Sequence, residues 1–549
     1  MNGHKKKIVL SIIVLCVLTL LIDRFYWSEI SQWREDQATN LWLGYTTDIW
    51  NMPVGLMSSK VIPNPNGMLL LGIVLSVLPN LLSVSFILGI IQITLLILVG
   101  WEAFGKQWQY FILAIIPLLS SVILRSISVE FWNQYIITLI NVFFIFWVIR
   151  HLKNKSLWNL PPIVALIILA PSIYHAGVAN AAVMAIITIG ALIYTRPVVK
   201  DGKLILSVIA LEVAISLFVT WLPYYQSGGL GPVIKYNQTN WEPSMALQLS
   251  LKSLFQLPIY TTAQWADKSL FSSAFKHADS NIISPVSNLL LASIGKIYMA
   301  QAIFSFLTFI YLIIIRFINV KNTKVNSSAA RVVITSGIFI VLSYTLSAFF
   351  GGPSWMDGKR LDQTAQFFPL FLLVIFLLPH VITTNGLTYK LINGVSYFLV
   401  GLFCITNLVC GFLIIRDHLQ YRGNVLSEAD VPLIDKMQAV DFIAKDWKEH
   451  SDSNFIPVDY DLGGGKWDWI PTFGDKLSPW YPAPMTIGRS FDYELLRRYG
   501  LTNQQEGIQF RTFGGGKYLV TYVFEDPPTV KKGNITHYIF GRLRVSVVE

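Results

Sequence analysis

Two adjacent carboxylates, Glu35 and Asp36, stand in the stretch Trp33-Arg34-Glu35-Asp36-Gln37-Ala38, close to Trp42 on the other side. A carboxylate in such a partly dehydrated setting can accept a proton from an attacking hydroxyl as a general base. The same pair would equally suit the first turn of a helix, where acidic side chains meet the positive end of the dipole. Charge alone leaves both readings open. A third carboxylate, Glu130, follows Ser126-Ile127-Ser128-Val129, and its bland reading is a helix-end residue reaching solvent. Lys359 and Arg360, in Trp355-Met356-Asp357-Gly358-Lys359-Arg360-Leu361-Asp362, have the chemistry of a phosphate site, Arg by a two-pronged contact. They would also serve as interfacial anchors or as partners of Asp357 and Asp362. Glu212 lies inside an apolar run, where a carboxylate is costly unless it is paired or faces a wet cavity. His175, at the end of another run, reads as a local hydrogen bonder or as part of the same cavity.

The elements that would hold these residues are membrane helices. Hydrophobic residues make up 53% of the chain and charged residues 13%, and the apolar residues cluster in runs such as 83–100, 132–149 and 204–221. Such runs with few charges are candidate transmembrane helices. The net charge of +10 comes largely from Lys and Arg in short loops, with no long basic stripe, so it does not point to nucleic acid. Cys16, Cys404 and Cys410 all fall in apolar runs and offer neither a disulfide framework nor metal-ligand spacing. Residues 1–23 look like a signal peptide, but Arg24-Phe25-Tyr26-Trp27 follows where a small-residue cleavage site would stand. They therefore read as an uncleaved first helix with a cytoplasmic amino terminus.

Loop charges set the expected topology. The run 68–78, between Pro65 and Pro79, would cover roughly 16 Å as a helix, against a hydrocarbon core of about 30 Å. It is too short to span. The loops holding Lys106, then Arg150/Lys153/Lys155, Arg196/Lys200/Lys203 and Arg316/Lys321/Lys324/Arg331 then all fall on the cytoplasmic side. The expected architecture is a polytopic α-helical membrane domain over 1–415 with about eleven spanning helices. Within it, 23–82 forms a long first outer loop with a short juxtamembrane helix, and 224–295 a large outer loop, including a surface-lying segment at 246–257. An odd span count places 416–549 outside as an α/β domain, with a helix over 440–450, strands over 455–460 and 517–524, and a strand or hairpin over 537–548. The two Gly-Gly-Gly-Lys stretches, 463–466 and 514–517, do not match the phosphate-loop pattern and read as turns.

A long first outer loop with an acidic residue soon after helix one, the Pro-rich Ile62-Pro63-Asn64-Pro65, and a short juxtamembrane helix together resemble the GT-C superfamily of lipid-linked-sugar glycosyltransferases. The resemblance is to bacterial members related to protein mannosyltransferases and aminoarabinose transferases. It covers residues 1–223 by pattern and the remainder by architecture. Asp36-Gln37-Ala38 looks like the family's Asp-Glu-Ala, which puts the general base at Asp36 and leaves Glu35 without a role. Glu130 stands where the family often has a second acidic residue, commonly Asp. Arg360, with Lys359, stands where a basic residue binds the donor phosphate, and Pro369 follows at a comparable distance. The resemblance implies transfer of a sugar from a polyprenyl-phosphate carrier to a glycan, lipid or protein acceptor at the outer face of a bacterial plasma membrane, with inversion. Many relatives work without metal, although Mg²⁺ or Mn²⁺ on Asp36 and Glu130 stays open. A secondary transporter and a non-catalytic envelope-assembly protein are the rival readings.

Overall fold

The computed structural model describes residues 3–31, 33, 74–104 except 76 and 79, 121–130, 133–173, 177–197, 201–218, 303, 307, 327–351, 366–377, 381, parts of 390–415, 431–462, 489–503, 517–523 and 534–548. Apolar sequence dictates helices over the described residues up to 415. These are α1 (Gly3–Glu29), α2 (Leu81–Phe104), α3 (Val122–Val129), α4 (Asn133–Asn154), α5 (Leu160–Ile173), α6 (Gly177–Thr195), α7 (Gly202–Ser216), α8 (Ser327–Gly351) and α9 (Phe368–Leu377). Within the described residues, Leu81–Phe104, Tyr135–Asn154, Gly177–Thr195 and Ser328–Ser347 are long and apolar enough to cross a membrane. Residues 74, 75 and 77 of the short 68–78 run are helical.

The helices share one core, in which α2, α4, α6, α8 and α9 interlock through residues such as Leu96, Phe144, Val183, Phe339 and Leu372. Close approach has its own signature at the α5–α6 turn. A Cβ on Gly177 would sit 1.9 Å from the Ala170 carbonyl oxygen, so only glycine lets the chain double back there.

The two ends of the bundle are chemically distinct. Where α2, α4 and α6 finish, Lys153 Nζ meets Glu102 Oε2 at 2.8 Å, and His151 bridges the Ser156 carbonyl (2.9 Å) and Thr195 Oγ1 (3.1 Å). Where α1 finishes and α2 begins, Phe25 packs edge-on to Phe86, and Arg24 lies against Gly89. Arg150, Lys153, Lys155 and Arg196, described members of the expected basic loops, lie at the end opposite to the α1 exit.

Residues 431–548 build a mixed sheet with two helices, α10 (Leu433–His450) and α11 (Arg489–Tyr499). Strands β2 (Val458–Asp461), β4 (Tyr518–Tyr522), β6 (Leu543–Val548) and β5 (Ile535–Phe540) lie side by side in that order. β2 and β4 are parallel and the other pairs antiparallel. A second, two-stranded parallel pair joins β1 (Phe455–Ile456) to β3 (Thr502–Asn503). Val440, Ile443, Phe491, Leu495, Val520 and Val545 form a core separate from that of the bundle. Gly541 opens the tight β5–β6 hairpin at φ 59°, the left-handed region a two-residue turn needs at its first position.

Candidate functional site at the α1 exit

The sequence expectation assigned no function to the charges inside α1 and α3, yet the structure gathers them. Asp23, in the last turns of α1, receives Arg125 Nη1 of α3 at 2.6 Å and its neighbour Arg24 Nη1 at 2.9 Å. Both guanidiniums are almost wholly buried. Arg125 Nη2 also donates to the Asn407 carbonyl (3.0 Å), and the Asn407 side-chain oxygen accepts the Val122 N–H at the start of α3 (2.9 Å). The Arg125 guanidinium lies 5.3 Å from the Trp27 ring centre, a cation–π placement. Gly411 makes this approach possible, since a Cβ there would stand 1.9 Å from Arg125 Nη2.

Two guanidiniums on one carboxylate leave an excess positive charge in this cluster. Among the described residues Arg24 Nε, Arg24 Nη2 and Arg125 Nε have no hydrogen-bond partner. Buried donors are rarely left unmatched, and charges inside a membrane bundle concentrate at functional sites. Asp23-Arg24 stood in the sequence at the end of the first apolar run, and Arg125 at the end of the third. The signal was an ionisable residue just inside an apolar segment.

Glu130 caps this arrangement. It ends α3 in extended backbone, is buried, and accepts Ser126 Oγ at 2.8 Å. The preceding Val129 carbonyl accepts Ser85 Oγ from α2, and the Val129 side chain packs over Gly89 beside the Arg24 stem. Glu130 therefore stands at the α1 exit, next to the Asp23–Arg24–Arg125 cluster.

From that exit the chain runs through Ser31 to Trp33, which is fully buried. Three residues beyond is Asp36, and extended backbone covers at most about 3.6 Å per residue. Covalent geometry thus keeps Asp36 within roughly 11 Å of Trp33, Cα to Cα. Glu35 and Asp36 themselves lie outside the described residues, as do His175, Lys359 and Arg360 and the outer-loop segment 224–295. The loop carrying Lys359 and Arg360 leads into Gln366, whose carbonyl accepts Asn141 Nδ2 (3.2 Å) and whose side-chain oxygen accepts Asn180 Nδ2 (2.9 Å). Asn180 Nδ2 also reaches Asn141 Oδ1 (3.2 Å), so a buried amide triad ties the start of α9 to α4 and α6. Sequence reading passed over these amides.

Glu212 lies on α7, which packs chiefly on α5, whereas the Glu130 helix packs on α1 and α2. Its Oε2 is buried without a hydrogen-bond partner among the described residues. The structure does not bring it to the α1 exit. No three His, Cys, Asp or Glu side chains gather as a metal site among the described residues.

No family model matches the chain, and no curated protein matches it. Among solved structures it is similar to ArnT from Cupriavidus metallidurans, in a crystal structure bound to undecaprenyl phosphate. That similarity has 10% identity and a TM-score of 0.46, covering 98% of each chain. At that level it transfers neither a residue role nor a substrate.

Proposed function

We propose that this chain is a membrane glycosyltransferase that moves a sugar from a polyprenyl-phosphate carrier to an acceptor on the outer face of a bacterial plasma membrane. The observation that carries the reading is the convergence at one end of the bundle of Glu130, the Asp23–Arg24–Arg125 cluster and the α1 exit that leads through Trp33 to Asp36. The sequence pattern of the first loop and of Asp36-Gln37-Ala38 supports the same reading.

Asp36 takes the proton from the acceptor hydroxyl as that oxygen attacks the anomeric carbon. The bond from the anomeric carbon to the phosphate oxygen breaks, and the lipid phosphate leaves with the electron pair. A single displacement of this kind inverts the anomeric centre. Arg360, with Lys359, offsets the charge that grows on the departing phosphate. Glu130, held by Ser126, is the second acidic residue on the acceptor side. The α/β unit of residues 431–548 lies on the outer side of the membrane.

The test is transfer itself. Purified full-length protein in lipid nanodiscs is given a panel of radiolabelled polyprenyl-phosphate sugars and candidate acceptors. The reading expects release of polyprenyl phosphate coupled to a labelled, inverted product. Movement of a sugar across proteoliposomes without bond cleavage would favour a transporter, and neither transfer nor flux would favour an assembly protein.

A further inference from the structure

The α/β unit of residues 431–548 is not attached to the bundle only by its linker. Trp33 is buried in a small apolar cluster with Leu433 and Met437 of α10, Tyr493 of α11, and Leu75, Leu81 and Val84. Leu75 and Leu81 lie at the far end of the loop that Trp33 begins. Residues from both ends of the loop bearing Glu35 and Asp36 therefore pack into one cluster, and α10 and α11 supply its remaining wall.

Polar contacts fix the near end of that loop more tightly than apolar packing could. The Leu433 N–H at the start of α10 donates to the Ser31 carbonyl (3.1 Å). Lys436, fully buried, donates through Nζ to the Trp33 carbonyl and to Ser490 Oγ, the latter at 3.3 Å. The Trp33 indole N–H donates to the Ser490 carbonyl (3.3 Å). The Lys436 ammonium also sits 5.6 Å from the Phe491 ring centre. α11 is stiffened at this point by a two-pronged Arg497–Glu494 pair, with bonds of 3.1 and 2.7 Å, and the Arg497 guanidinium stacks near Tyr493.

We infer that Lys436 and Trp33 are positioning residues through which the α/β unit anchors the chain at Trp33, three residues before the proposed base Asp36. The inference rests on the proposed glycosyl transfer for its catalytic half and on geometry alone for its mechanical half. A buried ammonium bonded to a backbone carbonyl three residues before the base fixes the chain where a shift of about 1 Å can cost roughly a hundredfold in rate. Neither residue touches the substrate. Their loss is felt in the chemical step rather than in donor binding.

The experiment uses the full chain in nanodiscs, with Lys436→Met, Lys436→Arg and Trp33→Phe beside the wild type. Amide hydrogen exchange over 29–36 reads the mechanical half, and kcat against donor KM reads the catalytic half. Lys436→Met is expected to speed exchange at Trp33 and its neighbours at least tenfold and to lower kcat at least tenfold, with donor KM changed less than threefold. Lys436→Arg restores part of both. Trp33→Phe, which keeps the backbone carbonyl for Lys436, shows a smaller effect in the same direction. Unchanged exchange in Lys436→Met overturns the clamp. Faster exchange with unchanged kcat overturns the positioning role. Absence of transfer in the wild type overturns the proposed function and the catalytic half with it, while the exchange result still decides the clamp.

Discussion

Replacing Asp23 is the sharpest way to perturb the buried cluster, because one carboxylate there serves two guanidiniums. Asp23→Asn keeps the shape and removes the charge, leaving Arg24 and Arg125 as two cations with almost no access to water. Removing one partner of a buried charge pair costs about 3–5 kcal/mol. Arg125→Met removes a charge from the same cluster but leaves Asp23 paired one-to-one with Arg24 at 2.9 Å. It forfeits the hydrogen bond to the Asn407 carbonyl and the contact with Trp27, a loss of about 1.5–3 kcal/mol for a charged donor. The two variants should therefore differ by roughly 2 kcal/mol, or about 4 °C at the ~2 °C per kcal/mol of a large domain. Scanning fluorimetry of the full chain in one detergent and at one heating rate measures this. Because the charges are buried, the ordering should persist from low to high salt. An Asp23→Asn protein as stable as Arg125→Met would refute the account of the cluster as one anion neutralising two cations.

Two further perturbations test the fold around the site. Burial pushes the Asp435 carboxyl up to about 6, against the bond from the Arg542 N–H and that residue's charge, which pull it down. Its folded value lies above its unfolded one, so its charged form destabilises the fold. Stability is then expected to fall as pH rises from about 4 to about 6 and to level off above that, by roughly 3 kcal/mol in all. Asp435→Asn, which keeps an acceptor for Arg542, should remove that slope in a pH series of melting temperatures; an unchanged slope would assign it elsewhere. Gly177→Ala sets a Cβ against the Ala170 backbone and should cost about 1–3 kcal/mol by overpacking, read as a lower melting temperature. A melting temperature equal to that of the wild type would show that the α5–α6 turn has room to spare.

Local pattern was enough for helices such as α2 and α6 and not for the cluster at the α1 exit. The run 177–195 coincides with α6, Gly177–Thr195, because an apolar segment flanked by Gly and Arg196 carries its own boundaries. The run 83–103 falls within α2 for the same reason. In the α/β unit, α10 begins at Leu433, earlier than the expected 440, since its first turns bury Leu433, Lys436 and Met437 against distant residues. α11 went unexpected because its charges mask an apolar face made by Phe491 and Leu495, with Tyr493 packed on another side. Arg125 stood in the sequence at the end of an apolar run. Its partners Asp23 and Asn407 are 102 and 282 residues away, beyond any sequence window. Trp33 stood in the sequence only as an aromatic neighbour of Glu35 and Asp36, while its indole bonds across 457 residues to Ser490. Glu130 was legible only as an acidic residue beyond an apolar run, and its seat beside α1 comes from contacts of Val129 with Ser85 and Gly89.

The most direct measurement of the central claim is single-turnover sugar transfer by Asp36→Asn and Glu35→Gln beside the wild type, with binding of the polyprenyl-phosphate donor measured on the same preparations. The account predicts that Asp36→Asn loses at least a hundredfold in the transfer rate while donor affinity holds within threefold, and that Glu35→Gln retains most of the rate, as a general base contributes about 10²–10⁴-fold. Wild-type rates in Asp36→Asn, or a loss confined to Glu35→Gln, would contradict it.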